Sequence, residues 1–372
     1  MKLGIDISSY FEVLDREGRF YRDNKEVDPI AEFRKNGVTG SRIRVWVDPY
    51  DKDGNPYLGG TCDKKNFFAL VDKMVPYGYD IMLDFHYSDF WADPSKQFIP
   101  KAWQGMTTKE LGEAVYEYTK DFLTECNQRG LKIPYIQIGN EITNGMLWPN
   151  GQLTDNPDGS RGNFENLCYF LRCASKACCE TSPESKIIVH LERPHLLDLY
   201  IEYMDNLEKY GVDYDILGLS YYPYWHGTFD MLETTLDVLD KRYGKEMMIV
   251  ETGYGFTMAP FLENADESSL VIGEKFLSGI QWPIPYPLSP EGQDNFVKSI
   301  LKIAKKHGIT GVYYWEPCWV PGKKVKWAST AGQMYTGETE KQQGNEWANQ
   351  CLFDYQGNML SAFDSFRVEE EE

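Results

Sequence analysis

Six acidic residues stand in or at the ends of short apolar runs, where their carboxyl groups could do chemistry. They are Asp48, Asp84, Glu141, Glu192, Glu251 and Glu316. Glu141 has the most distinctive setting, because the run IQIG is followed at once by Asn140 and Glu141. Hydrolysis of a glycosidic bond usually takes two carboxyl groups, one to protonate the leaving oxygen and one to attack the anomeric carbon or to activate water. The sequence contains residues for this reaction, but position alone does not choose among the acids.

The elements that must position these acids are eight apolar runs. They cover residues 2–8, 41–48, 79–87, 135–141, 186–192, 215–222, 246–254 and 311–317. Most intervals between the runs have helical periodicity, and some end in glycine after basic residues, as helix C-termini do. Eight strands that alternate with helices predict a (β/α)8 TIM barrel. An open doubly wound sheet is the alternative, but no glycine-rich fingerprint follows the first run.

The barrel topology favours one pair of acids. Active sites of TIM barrels lie at the carboxyl ends of the strands. Runs four and seven end near Glu141 and Glu251, which therefore face each other across the predicted barrel mouth. Asn140 would hydrogen-bond a sugar hydroxyl beside the bond that Glu141 protonates. For any single acid, a salt bridge at the rim or a helix cap stays open as an alternative.

Bulk composition disfavours several classes of partner. The chain has 372 residues and a net charge of −19, so nucleic acid and anionic membranes are disfavoured as ligands. Hydrophobic residues make up 42% and no segment resembles a linker. We expect one catalytic domain over residues 1–366, an acidic tail over 367–372, and a monomer.

The N-terminal residues bear on the cellular location. MKLGIDISSY contains no apolar signal region, and no apolar run reaches the roughly 18 residues that a membrane span requires. We expect no membrane span. The location would be cytoplasmic if the chain is complete, and secreted or at the cell surface if a leader was removed.

Long motifs occur in order along nearly the whole chain. They are RIRVWVDP (42–49), DFHYSDFWADPSKQ (84–97), PKAW (100–103), QIGNEITNGMLWPNG (137–151), VETGYG (250–255), YPLSPEGQ (286–293), YYWEP (313–317) and WANQCLFDYQGNML (347–360). In these motifs the sequence resembles glycoside hydrolase family 53, the endo-β-1,4-galactanases. The resemblance implies a TIM barrel, a retaining mechanism, β-1,4-galactan of pectin side chains as substrate, and no cofactor.

The resemblance also implies roles for particular residues. Glu141 would be the acid/base and Glu251 the nucleophile. The expected substrate-binding residues are Arg44, His86, Asn140, Glu192, Tyr221 and Trp315, with Trp91, Trp103, Trp148 and Trp319 as stacking platforms in the loops. Arg44 is expected beside Glu251, where its charge would keep that carboxylate ionised. Tyr221 is expected to hydrogen-bond the same carboxylate. Most of the other aromatic side chains, which together make up 15% of the sequence, are expected in the core.

Two positions, Phe90 and Glu192, depart from the family pattern, which usually has threonine at the first of them. Glu192 stands where the family usually has aspartate, and the longer side chain would change a contact near the cleaved sugar. Residues 321–346 correspond to a segment where some bacterial members hold calcium. This segment lacks a tight cluster of Asp and Asn, so we do not assign a metal site, and calcium in this loop stays open as an alternative.

Two other functions remain open from the sequence. The first is an endo-glycanase of the same superfamily that cuts mannan or glucan with identical carboxyl chemistry. The second is a barrel that binds glycans without cutting them, which the presence of both Glu141 and Glu251 disfavours.

Overall fold

A closed barrel of eight parallel strands forms the centre of the molecule. The computed structural model describes residues 1–155, 161–261, 270–322, 324–337 and 344–367. The barrel strands are β1 (Lys2–Asp6), β2 (Gly40–Val45), β3 (Asp80–Phe85), β4 (Tyr135–Ile138), β5 (Lys186–Leu191), β6 (Ile216–Tyr221), β7 (Glu246–Thr252) and β8 (Gly311–Trp315). Each strand pairs with its neighbours in chain order, and β8 closes the barrel on β1. The predicted TIM barrel is confirmed.

Helices surround the barrel and fill most of the connections. In the described ranges they are α1 (Tyr10–Asp15), α2 (Pro29–Lys35), α3 (Lys64–Met74), α4 (Thr108–Gln128), α5 (Phe164–Thr181), α6 (Leu197–Lys209), α7 (Phe229–Tyr243), α8 (Glu274–Leu277), α9 (Pro290–Lys306) and α10 (Thr330–Thr336). Two-residue strands pair in the loops, at Tyr21–Arg22 with Lys25–Glu26, Gly145–Met146 with Gly151–Gln152, and Thr154–Asp155 with Arg161–Gly162.

Local sequence explains where α4 and α9 begin after the long connections from β3 and β7. Thr107 and Glu110 form a capping box that satisfies free backbone N–H groups at the start of α4. Ser289 caps α9, and Pro290 follows in the first turn, where its missing N–H removes no hydrogen bond. None of the helices in the described part of the chain has the length and apolar character needed to cross a membrane.

The barrel interior has an apolar layer below a charged one. The apolar layer consists of Met82, Ile188, Ile216, Met248, Val250 and Tyr313. Nearer the carboxyl ends of the strands, Asp6, Arg42, Asp84 and Gln137 are fully buried and bonded to one another through Arg42. Side chains alternate between the two faces of a strand, so Arg42 points inward while Ile43 joins the outer core. The strands thus place charge at the end where the predicted acids lie.

The acidic tail predicted over 367–372 lies outside the described residues except for Arg367.

Candidate active site

A cavity of about 950 Å³ opens at the carboxyl ends of the strands. Of the six acids at strand ends, Glu141, Glu192 and Glu251 are among the described residues that line it. Asp84 and Glu316 are instead fully buried in ion pairs with arginines, and Asp48 pairs with Lys101 at a more exposed position. The geometry therefore reduces the six candidate acids to three.

Glu141 is held at the mouth by the turn that ends β4. Gly139 has φ 94° and Glu141 has φ 48°, so two left-handed residues bend the chain away from the strand direction. The Ser220 hydroxyl donates to Glu141 Oε1 at 2.7 Å. Burial, followed by the charges of Glu251 and Glu192, raises the pKa of Glu141 well above its usual value. The raised pKa favours the protonated form of Glu141, which is the form that a general acid needs.

A β-bulge aims Glu251 into the cavity. Met248 and Val250 both point into the barrel, so strict alternation would send Glu251 outward. The pairing of β6 with β7 shifts by one residue here, since Leu219 opposes Ile249 and Ser220 opposes Glu251. A bulge of this kind redirects the following side chain. Glu251 consequently lines the cavity while only 6% exposed.

Two neighbours hold the Glu251 carboxylate by different oxygens. Arg42 Nη1 lies 2.9 Å from Oε1, and the Tyr222 hydroxyl donates to Oε2 at 3.0 Å. Burial raises the pKa of Glu251 to about 7, although the positive charge of Arg42 acts to lower it. Glu251 thus has a cation that favours its ionised form, whereas the charges that act on Glu141 are those of other carboxylates.

The predicted pairing of Arg44 with Glu251 is wrong, because Arg42 takes that place. Arg42 donates hydrogen bonds to Asp6, Gln137 and Asn140, and its guanidinium also forms ion pairs with Asp84 and Glu251. Arg44 lies one layer nearer the mouth on the same strand face. Its Nη1 contacts Asp6 at 3.3 Å and Glu316 at 2.6 Å. Both side chains point into the barrel. They lie at different depths along the barrel axis, and Arg42 is at the depth that reaches Glu251 on β7.

The predicted hydrogen bond from Tyr221 to Glu251 is also wrong. Tyr221 points away from the barrel interior, where its hydroxyl donates to the Gly227 carbonyl and its ring stacks near Phe296. Tyr222 is the next residue and shares the inward face with Ser220, so Tyr222 supplies the hydrogen bond instead.

Asn140 and His86 both line the cavity but already have protein partners. Asn140 Oδ1 accepts from Arg42 at 2.7 Å, and its Nδ2 donates to the Ala92 carbonyl at 2.9 Å. His86 Nδ1 accepts from the Ala92 backbone N–H at 3.3 Å, and Nε2 lies 3.1 Å from Asp84 Oδ2. These bonds fix the orientation of both side chains. Their contact with substrate stays a prediction.

Glu192 lies buried beside Glu141 at the end of β5. Its carboxylate accepts hydrogen bonds from the Thr143 hydroxyl and, at 2.8 Å, from Arg193 Nε. Burial raises the pKa of Glu192, and the charge of Arg193 acts to lower it. Glu192 therefore forms part of the cavity wall and contributes to the raised pKa of Glu141.

Comparison with known proteins identifies the family. The sequence profile described as "Glycosyl hydrolase family 53" matches residues 2–366. The chain belongs to glycosyl hydrolase family 53. It is 31% identical to an endo-β-1,4-galactanase of Bacillus subtilis strain 168, over 99% of this chain and 85% of the relative. It is 32% identical to an arabinogalactan endo-β-1,4-galactanase of Cellvibrio japonicus strain Ueda107, over 99% and 90% of the two chains.

Solved structures agree with the family 53 assignment. The Ignisphaera aggregans GH53 catalytic domain superimposes with a TM-score of 0.85 at 35% identity, covering 99% of this chain and 96% of that one. A fungal β-1,4-galactanase gives a TM-score of 0.77 at 27% identity, with 99% of both chains covered. A family 1 β-glucosidase of Thermotoga maritima, at 14% identity and a TM-score of 0.53, shares the fold alone.

One side of the family 53 cavity is a cluster of four tryptophans, which we call the tryptophan cluster. It comprises Trp91, Trp315, Trp327 and Trp347, all of which line the cavity. Trp91 stacks on Trp327 with ring centroids 4.6 Å apart, and Trp315 meets Trp347 edge-to-face at 4.6 Å. The Arg44 guanidinium lies 4.5 Å from the Trp91 ring centroid, where a cation–π contact is favourable. Arg44 thus contacts the tryptophan cluster rather than Glu251.

Three other tryptophans expected as platforms do not lie in the cavity wall. Trp103 packs edge-to-face on Tyr118 of α4, outside the barrel. Trp319 is fully buried behind Trp327. Trp148 is half-buried and donates from Nε1 to the Asn144 carbonyl at 3.1 Å. The motifs place these residues in the right loops, but the loops turn their side chains into the core or toward other loops.

The structure adds cavity residues that the sequence analysis did not single out. Arg42 and Tyr222 stand beside the expected residues, and Trp327 and Trp347 lie in the segment after β8. Other aromatic residues of the cavity lining come from the loops after β5, β6 and β7, and they are His195, Trp225, Phe276 and Trp282. The alternation of inward and outward side chains was a signal for Arg42 and Tyr222. No signal in the sequence distinguished the loop residues from ordinary aromatic residues.

Metal binding was not predicted for residues 321–346. Within the described residues, no group of three or more His, Cys, Asp or Glu side chains is arranged to hold a metal ion. Position 323 and positions 338–343 of that segment lie outside the described residues.

Proposed function

We propose that this family 53 protein is a retaining endo-β-1,4-galactanase that acts on galactan and on the type I arabinogalactan side chains of pectin. The observation that carries the proposal is the pair of carboxyl groups, Glu141 and Glu251, which line one cavity and interact electrostatically. Relatives named as galactanases, at 31% and 32% identity over nearly the whole chain, support the substrate class.

The proposed reaction proceeds in two steps. Protonated Glu141 gives its proton to the glycosidic oxygen while a Glu251 oxygen attacks the anomeric carbon, which forms a glycosyl-enzyme ester and releases the leaving sugar. Glu141, now ionised, takes a proton from water as the water attacks the same carbon and frees Glu251. Two inversions retain the configuration. We expect a separation of about 5–5.5 Å between the two carboxyl groups, as retaining enzymes require.

Hydrogen bonds prepare Glu251 for this role. Arg42 and Tyr222 each hold one carboxylate oxygen, so the group has a fixed orientation before substrate arrives. As the ester forms, the Glu251 carboxylate loses its negative charge. The Tyr222 hydroxyl stays next to Oε2, the oxygen to which it donates. Ser220 fixes Glu141 in the same way. Such preorganisation places the reacting groups without reorganisation during the reaction.

Activity should follow a bell-shaped pH profile whose acid limb lies near pH 7. The active form needs Glu251 ionised and Glu141 protonated. Because the pKa of Glu251 is raised to about 7, kcat/KM should rise as pH increases through that value. It should fall at higher pH, where Glu141 loses its proton. The two limbs belong to the interacting pair. Rates on galactan from pH 4 to 10 test this, and an alkaline limb that persists in Glu141→Gln would contradict the assignment.

Substrate choice should favour galactan over glucan and mannan. Galactose carries an axial 4-hydroxyl, and polar groups that bond it would go unpaired with the equatorial hydroxyl of glucose. Such a polar mismatch discriminates strongly, by up to roughly 10⁴-fold in the best cases. Reducing ends released from β-1,4-galactan, β-mannan and carboxymethylcellulose under one condition provide the measurement. Comparable turnover on a glucan would refute the galactan substrate and leave the two-carboxyl mechanism intact.

A further inference from the structure

Two buried side chains connect the barrel interior to Glu141. His190 stands on β5 and Ser220 on the neighbouring strand β6, and both are fully buried. Ile188 and Ile216 of the same strands point into the barrel, so alternation directs His190 and Ser220 to the interior as well. His190 Nε2 lies 2.8 Å from Ser220 Oγ, and the Ser220 hydroxyl donates to Glu141 Oε1 at 2.7 Å. We call this series of hydrogen bonds the relay.

The neighbours of His190 Nδ1 indicate that this nitrogen is an acceptor. The Glu141 backbone N–H is directed at Nδ1 at 3.4 Å, and a backbone N–H can only donate. Gln137 Nε2 lies 3.1 Å from Nδ1, and the amide orientation of Gln137 follows from its Oε1, which accepts from Arg42. Asn140 Oδ1 also lies 3.0 Å from Nδ1, but it already accepts from Arg42 at 2.7 Å. The tautomer is thus assigned from two donors.

A neutral His190 with an acceptor at Nδ1 has its single N–H at Nε2. Burial, followed by the charge of Arg42, lowers the pKa of His190 well below its usual value, which favours the neutral ring. Nε2 then donates to Ser220 Oγ, and the hydroxyl proton of Ser220 points at Glu141 Oε1. Because Oε1 accepts this bond, the proton of protonated Glu141 belongs on Oε2.

We propose that His190 and Ser220 are positioning residues that assign both proton transfers of Glu141 to one oxygen, Oε2. The inference rests on the proposed galactanase function and adds the atom at which its acid and base act. In the first step the Oε2–H bond breaks as the glycosidic oxygen takes the proton and leaves the anomeric carbon. In the second step Oε1 still accepts from Ser220, so Oε2 takes the proton of the attacking water. Neither positioning residue is among the described residues that line the cavity, so both act through Glu141.

Ser220→Ala removes the relay at the atom that contacts Glu141. We expect kcat/KM on galactan to fall on the order of 10- to 100-fold, by analogy with outer partners that orient metal ligands. The lost donor stabilised the ionised carboxylate, so the pKa of Glu141 should rise and the alkaline limb should move to higher pH. The charges of Glu251 on β7, Glu192 at the end of β5 and Asp93 after β3 also act on Glu141, and the substitution leaves them in place. A limb that moves to lower pH would mean that Glu141 donates to Ser220, and it would overturn the proposal.

A substrate with a good leaving group separates positioning from folding. β-Galactobiosyl fluoride needs little protonation, so Ser220→Ala should lose much less kcat/KM on the fluoride than on galactan. Equal losses on the two substrates would assign Ser220 a structural role and overturn the proposal. Ser175→Ala is the matched control, because it removes a similarly buried hydroxyl that donates to the Asp213 carbonyl at 2.6 Å on α5. Its rates on both substrates should equal those of the wild-type protein.

Two amides of different length test His190. Gln can place an N–H group near the position of Nε2 and keep the bond to Ser220, whereas Asn is too short to reach it. His190→Gln should therefore keep more of the galactan rate than His190→Asn, and the Asn variant should show the same limb shift as Ser220→Ala. His307→Gln, which changes a histidine paired with Glu233 and Asp237 outside the cavity, should leave both rates unchanged.

A double-mutant cycle shows whether the two positioning residues act as one unit. In a Ser220→Ala background, His190→Asn should add little to the loss on galactan, because residues of one hydrogen-bond network are not additive. Fully additive losses would overturn the relay. If the His190 variants do not fold, the limb shift and the substrate ratio of Ser220→Ala decide the proposal. If the wild-type protein cleaves mannan or glucan instead, the galactan substrate is refuted, and the same ratios on that glycan and its fluoride decide the positioning role.

Discussion

Glu251→Gln should lower kcat on galactan by on the order of 10⁴-fold or more, by analogy with removal of the nucleophile in a serine protease. The amide is nearly isosteric and can still accept a hydrogen bond from Tyr222 or Arg42, so the fold should be retained. It cannot form the glycosyl ester. Glu141→Gln should lower kcat by about 10²–10⁴-fold, the usual contribution of general acid–base catalysis. Initial rates with galactan, beside thermal unfolding of each variant, provide the measurement.

The leaving group and added azide distinguish the two roles. With β-galactobiosyl fluoride, which needs little protonation, Glu141→Gln should lose much less in the first step than it loses on galactan. Azide should then intercept its glycosyl-enzyme and give a product of retained configuration. In a Glu251→Gly variant, azide should attack directly and give inverted configuration. Products of the opposite configurations would reverse the assignment of acid and nucleophile.

Arg42→Met should destabilise the protein by about 3–5 kcal/mol, the usual cost of removing one partner from a buried ion pair. Asp6, Asp84 and Glu251 would remain in the barrel interior without the guanidinium that now bonds all three. Loss of that positive charge should also raise the pKa of Glu251 further, so residual activity should shift to higher pH. Urea unfolding monitored by fluorescence measures the stability, and the pH–rate profile measures the shift.

Arg22→Met is the matched control. Arg22 also contacts two carboxylates, Glu32 and Asp364, but its side chain is 35% exposed at the surface. Its loss should cost less than about 1 kcal/mol, as for exposed ion pairs. If Arg42→Met does not fold, Arg42→Lys keeps the charge with fewer donors and should show an intermediate loss. Equal stability of the Arg42 and Arg22 variants would mean that the buried network contributes little.

The barrel could be predicted because its signal is repeated eight times along the chain. Each strand is buried on both faces and reads as an apolar run, and the runs end where the polar cavity begins. Glu141 and Glu251 could be proposed because parallel strands all deliver their carboxyl ends to one face. The barrel and the position of both glutamates follow from the order of strands and helices, and the order of apolar and helical segments in the sequence predicts it.

Details that depend on depth and local backbone geometry could not be predicted. Arg42 and Arg44 share one strand face, and only the three-dimensional layer shows which of them meets Glu251. The bulge that turns Glu251 inward leaves no mark in the sequence VET, because simple alternation from Val250 points the other way. Loop aromatics such as Trp282 follow no period at all. The sequence therefore predicts which residues reach the mouth better than it predicts their partners.

The left-handed backbone at Glu141 implies a trade-off between stability and activity. A non-glycine residue with φ 48° adopts a sparsely populated conformation, and strain of this kind amounts to roughly 1–3 kcal/mol. The same residue also keeps a carboxyl group in a buried setting that raises its pKa. Both effects disfavour the folded state, and neither serves packing. Asparagine tolerates a left-handed φ and carries no ionisable group, so we expect a Glu141→Asn variant to melt at a higher temperature than the wild-type protein while losing activity.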